Sequence, residues 1–183
     1  MRALILATAF AAAATPAFAD FTVSSPNVKS GSPMALAQVL RSCGGQNISP
    51  ALNWSGEPKG TQSFAVTMFD SDARNGSGWW HWTVINLPAS THGLAAGAGS
   101  EGSKSLPGGA IQGRNDYGFS YYGGPCPPPG EHAHHYEIMV YALKVPSLPL
   151  DASAKGPQVA ASLNANALAT AKIVGRYGRP KAP

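Results

Sequence analysis

Apolar side chains gather in three stretches of the chain. Phe64–Phe69, Trp80–Leu87 and Tyr136–Val145 are each rich in β-branched or aromatic residues and bounded by Gly, Pro, Ser or Asp, a pattern that predicts central strands. The first of them is apolar on both parities, Phe64, Val66 and Met68 alternating with Ala65 and Phe69, as expected for a strand covered on both faces in a sandwich. Helix signals occur at two places. Ser32-Pro33 reads as cap and first position for a helix over Met34–Val39. Gly156-Pro157 opens a second, predicted to run from Pro157 to about Val174, with Val159, Leu163, Ala167 and Ala171 at four-residue spacing and Gly175 as its stop. No repeat and no linker between hydrophobic blocks interrupts this pattern, which reads as a single domain.

Composition narrows the class. Only 12% of the 183 residues are charged, about half the roughly 25% usual for a soluble domain. There are 21 Gly and 16 Pro, and 44% of residues are hydrophobic, including four Trp, six Tyr and six Phe. Long solvated helices need more charge and disordered chains fewer aromatics, so a turn-rich β protein is expected. The net charge is +4, and the basic residues are scattered with no block of like charge, which argues against nucleic-acid binding.

The first residues read differently. Arg2, the uncharged apolar run Ala3–Ala14 and Ala17-Phe18-Ala19 before Asp20 have the form of a secretory signal peptide with an A-x-A cleavage site. The run is too short to span a bilayer and no other stretch approaches that length. The expected mature chain is therefore Asp20–Pro183, periplasmic or secreted, with no transmembrane segment. Its two cysteines, Cys43 and Cys126, would then face an oxidising compartment, where either a disulfide or a pair of buried thiols is open to them.

Candidate chemistry sits at strand ends. Asp70 and Asp72 follow the first strand, His81 begins the second among Trp79, Trp80 and Trp82, and His134 and Tyr136 lead into the third. Their spacing of two puts His134 and Tyr136 on one face of a strand and His135 on the other. Imidazole N–H groups and a phenol donate to phosphate or carboxylate oxygens, and a nearby carboxylate fixes the imidazole tautomer, so the set suits a small anion. Thr91–Gly130 is Gly-rich and ends in Gly123-Gly124-Pro125-Cys126-Pro127-Pro128-Pro129-Gly130; loops of such length inside a compact domain are usually functional. Two enzyme readings use the same residues: a metal-dependent hydrolase on His132, His134 and Asp70, and a Cys126 nucleophile with His134 as base. Both signals are weak, and no Gly-x-Ser-x-Gly elbow occurs.

Five segments together resemble the phosphatidylethanolamine-binding protein family, in its bacterial Raf kinase inhibitor-like (YbhB/YbcL) branch. They are Cys43-Gly44-Gly45-Gln46-Asn47-Ile48-Ser49-Pro50-Ala51-Leu52-Asn53-Trp54, Phe69-Asp70-Ser71-Asp72-Ala73, His81-Trp82, Gly124-Pro125-Cys126-Pro127-Pro128 and His134-His135-Tyr136, with Gly175-Arg176-Tyr177 near the end. The resemblance implies a mainly β fold, a sandwich with a large antiparallel sheet, a smaller second sheet and a C-terminal helix. It implies a ligand pocket at Asp70, Asp72, His81, Gly124, Pro125, Cys126, Pro128, His134 and Tyr136. Three positions depart from the family pattern: Ser71 and Arg74 replace prolines, and His135 replaces an arginine.

The function expected is an exported, non-enzymatic binding protein, without cofactor or metal, for phosphate, carboxylate or a phospholipid headgroup. The alternative is a module that inhibits a periplasmic or host enzyme through its surface.

Overall fold

The structure, a computed structural model, describes residues 20–181. The proposed signal peptide lies outside the described residues. Among them, besides a 3₁₀ turn at Arg41–Cys43, eight strands and one α-helix follow in the order β1 (Thr22–Ser24), β2 (Leu52–Ser55), β3 (Ser63–Asp70), β4 (Trp79–Pro88), β5 (Gly93–Leu94), β6 (Ile111–Gln112), β7 (His134–Leu143), α1 (Gly156–Asn166) and β8 (Ala167–Tyr177). They make an antiparallel five-stranded sheet in the order β6-β4-β3-β7-β8 and a three-stranded sheet in the order β1-β2-β5. Among the described residues no helix is long and apolar enough to cross a membrane.

Both faces of the large sheet are covered, which is why β3 is apolar on both parities. Phe64, Val66 and Met68, with Tyr136, Ile138 and Val140 of β7, pack against Leu52 and Trp54 of the small sheet. Ala65 and Leu143 pack on the other side against Val159 and Leu163 of α1. Each such large apolar side chain, wholly removed from water, contributes about 1.5 to 3 kcal/mol.

The expected helix over Met34–Val39 is instead a chain of turns. The N–H groups of Gln38 and Val39 go to carbonyls only three residues back, Ala35 and Leu36, and Pro33 is bridged to β8, with Met34 N–H donating to Arg176 O and Ser32 O accepting from Arg176 N–H. Cap and first-position residues were present, but they pair with β8 in place of opening a helix.

The second helix stops at Asn166, eight residues short of the expected end, and β8 takes over. Four-residue spacing satisfies a strand as well as a helix, because two pleat periods make four. In β8 the inward set is Ala171, Ile173 and Gly175, with Ala167 and Ala169 half-buried on the same parity. Pairing along the whole of β7, from His134 opposite Tyr177 to Leu143 opposite Ala167, supplies ladder hydrogen bonds that the β7 edge otherwise lacks.

One irregularity matters for the site. Met68 pairs with Trp82 but Phe69 pairs with Trp80, so His81 is an extra residue in β4. A bulge of this kind bends the strand and re-aims its side chain. Strict alternation would send His81 to the face opposite Trp82; the bulge turns it toward Asp70 and Tyr136 instead.

Candidate functional site

The end of β3 lies between the first residues of β4 and β7, with Asp70 opposite Trp79 on one side and Tyr136 on the other. Antiparallel pairing thus gathers residues far apart in sequence at one end of the sheet, where Asp70, Trp79, His81 and His134, but not Tyr136, line a cavity of about 790 Å³.

Asp70 is 3% exposed and uses both carboxylate oxygens. Oδ1 accepts the N–H groups of Asp72 (3.0 Å) and Ala73 (3.1 Å), which pins the loop after β3. Oδ2 lies 2.8 Å from His134 Nδ1 and 3.9 Å from His81 Nε2. These partners offset the cost of burying the charge.

The two imidazoles differ in protonation because their partners differ. His134 has a carboxylate at each nitrogen, Asp70 at Nδ1 and Glu131 Oε2 at 3.1 Å from Nε2, so both nitrogens donate and the ring is cationic. Burial works against that charge, but the Asp70 hydrogen bond and charge, with the Glu131 hydrogen bond, outweigh it and raise the pKa. His81 Nδ1 is 2.7 Å from the carbonyl oxygen of Gly123, which only accepts, so Nδ1 carries the proton and Nε2 of the neutral ring presents a lone pair. Complete burial lowers the His81 pKa, against the opposing pull of Gly123 and Asp70. The floor therefore offers a donor and an acceptor.

Tyr136 stands behind this pair with its ring edge-on to His81, centroids 5.2 Å apart. Among the described residues its hydroxyl has no hydrogen-bond partner, and burial, with the Asp70 charge, pushes its pKa well up. Asp72 takes a different part from Asp70. Its Oδ2 accepts from the His135 backbone N–H (2.6 Å) and lies 2.9 Å from His135 Nδ1, while Oδ1 is 3.5 Å from His132 Nε2. It ties the loop after β3 to the start of β7, and His135 supplies its partner where the family pattern has arginine.

The far wall is the Gly124–Pro128 turn, of which Cys126, Pro127 and Pro128 line the cavity while Gly124 and Pro125 lie behind them. Gly124 passes so close to the backbone of Gln38 and Leu40 that a Cβ would collide with it. The Asn47 side chain completes the anchoring, donating to Tyr122 O (2.9 Å) and accepting from Gly124 N (2.7 Å). Cys126 is joined to Cys43 in a disulfide, Cα atoms 5.7 Å apart.

Trp79, beside His81 in the sequence, lines the cavity; sequence reading missed Tyr117 and Glu131, which line it too. Tyr117 donates to Gly124 O at 3.1 Å. The Arg74 guanidinium lies over the Trp79 ring, 4.2 Å from its centroid, a cation–π contact at the rim. Arg74 and Asn75 both hold positive φ (53° and 54°), a backbone cost of about 1 kcal/mol or more per residue. The three residues of the hydrolase reading do not converge as ligands, and among the described residues no set of three His, Cys, Asp or Glu is placed to hold a metal ion.

The sequence profile described as "Phosphatidylethanolamine-binding protein" matches residues 24–178. The chain belongs to the phosphatidylethanolamine-binding protein family. Among curated members it is similar to the UPF0098 protein YbcL of Escherichia coli, 47% identical over 97% of this chain and 98% of YbcL. It is also similar to E. coli YbhB, 45% identical over 73% of this chain and 83% of YbhB. The crystal structure of E. coli YbcL superposes with a TM-score of 0.85 at 48% identity, covering 87% of this chain and 99% of that one. The two-sheet fold is thus the fold of the phosphatidylethanolamine-binding protein family.

Proposed function

We propose that this chain is an exported, non-enzymatic binding protein whose cavity takes a small anion: phosphate, a carboxylate or a phospholipid headgroup. The observation that supports it most is the pair His81 and His134 on one buried carboxylate, Asp70, at the floor of a cavity. His134 Nε2 is a charged donor to an anionic oxygen, and such bonds are roughly twice as strong as neutral ones. His81 Nε2 accepts from a ligand hydroxyl when neutral and donates once it gains a proton. Arg74 at the rim supplies a second cation. Asp70, with both oxygens engaged, orients His134 and is not free to meet an ammonium group. Cys126, held in a disulfide, offers no thiolate nucleophile.

The test is calorimetric titration of phosphorylethanolamine at about pH 5.5 and about pH 8, either side of the ordinary imidazole range. Tighter binding at the lower pH is expected, since a protonated His81 adds a donor. Equal affinity at the two values, or no heat at millimolar ligand, overturns the reading.

A further inference from the structure

Glu131 follows the turn Pro128-Pro129-Gly130 and reaches back into the cavity. Its side chain is half-exposed, whereas that of His134 is 2% exposed, and Glu131 Oε2 lies 3.1 Å from His134 Nε2. The outward nitrogen of His134, the one that would donate to a ligand, is therefore already donating to a carboxylate of the chain itself.

The other lining carboxylates are committed. Asp70 spends its oxygens on two backbone N–H groups and His134, and Asp72 spends its own on His135 and His132. Glu131 alone is exposed on one side, and among the described residues its Oε1 has no hydrogen-bond partner. The charged and titratable groups around it are His134, His132, whose ring centroid is 5.3 Å from that of His134, and across the cavity Asp70, Asp72, Arg74 and His81. A carboxylate on a short tether competes at an effective concentration of order millimolar or above.

We propose that Glu131 holds the anion position of the site and sets its selectivity. A plain anion must displace this carboxylate and then sit beside it unpaired. A ligand with a cation next to its anion takes His134 with the one and the released Glu131 with the other. The inference rests on the anion-binding reading and names the ligand class it favours: zwitterions over simple anions.

The experiment titrates the full chain, wild type, Glu131→Gln and Glu131→Ala, with inorganic phosphate and with phosphorylethanolamine. Both variants are expected to bind inorganic phosphate about five-fold more tightly or better, while phosphorylethanolamine gains less or weakens. Unchanged phosphate affinity, or equal gains for the two ligands, overturns the proposal. A second measurement does not depend on headgroup binding. Acetate is added while the His134 ring resonances are followed by NMR: it should return them toward their wild-type position in Glu131→Ala and leave the wild type unmoved. The same response in both proteins, or none in Glu131→Ala, overturns the inference even where phosphorylethanolamine binds. Failure of phosphorylethanolamine to bind the wild type counts against the anion reading, and the acetate result then decides the role of Glu131.

Discussion

Asp70 Oδ2 stands 2.8 Å from His134 Nδ1, and both side chains are almost wholly buried. One carboxylate thereby fixes an imidazolium with one oxygen and a loop with the other. Asp70→Asn keeps the shape but removes the charge. His134 should then titrate at lower pH than in the wild type, and stability should fall by about 1 to 3 kcal/mol, the cost of a buried group left without its partner. NMR titration of the His134 ring and urea denaturation measure the two effects.

The histidines give opposite pH dependences. His134 has a raised pKa in the folded chain, so its contribution is complete below about pH 6.5 and is lost as pH rises through the folded value. His81 has a lowered one, so its contribution is present above about pH 6.5 and is lost as pH falls from there toward the folded value. Thermal midpoints between about pH 5 and pH 8 should lose the alkaline slope in His134→Gln and the acid slope in His81→Gln. Unaltered slopes in both variants would contradict the assignment.

Arg74 has no carboxylate partner among the described residues and lies against Trp79 at the cavity rim. Arg74→Ala should weaken inorganic phosphate binding about two- to five-fold, the range of an exposed charge pair. The loss should shrink as salt is raised, since screening reaches an exposed cation. Calorimetry at two salt concentrations checks both.

The Tyr136 hydroxyl is buried and, among the described residues, unpaired. Tyr136→Phe removes a polar group that gains nothing from the fold, so stability should stay level or rise by up to about 1 kcal/mol. A loss of more than about 1 kcal/mol in chemical denaturation would mean that the hydroxyl is bonded in solution.

Cys43 and Cys126 close a loop with 83 residues of separation. Reduction should lower stability by about 4 to 5 kcal/mol. It should also loosen the Cys126–Pro128 wall, weakening anion binding. Intact mass with and without reductant, showing a gain of two hydrogens, checks the bond itself.

Some of this was legible in the chain. The strand ends carrying Asp70, His81, His134 and Tyr136 stood out because apolar, β-branched runs break there at polar residues, and period-two alternation placed His134 and Tyr136 together. The helix expected over Met34–Val39 was not, since its opening residues pair with Arg176 of β8, a partner no local rule describes. Glu131 carried no signal either: one acid in a Pro-Gly turn reads as an ordinary surface residue until His134 is found beside it.

By itself the sequence determined which residues could form the core strands, the mainly β class and the family motifs, because these depend on local periodicity and on residue types. Tertiary structure decided what those patterns left degenerate. Ala167–Tyr177 has a spacing that fits helix and strand alike, and the open edge of β7 made it a strand. His81 has a parity that points it away from Asp70, and an extra residue in the β4 register brought it back. Whether a histidine donates or accepts is likewise no property of its sequence position; Gly123 O and Asp70, brought in from distant segments, and Glu131, turned back onto His134 from three residues before it, settle it.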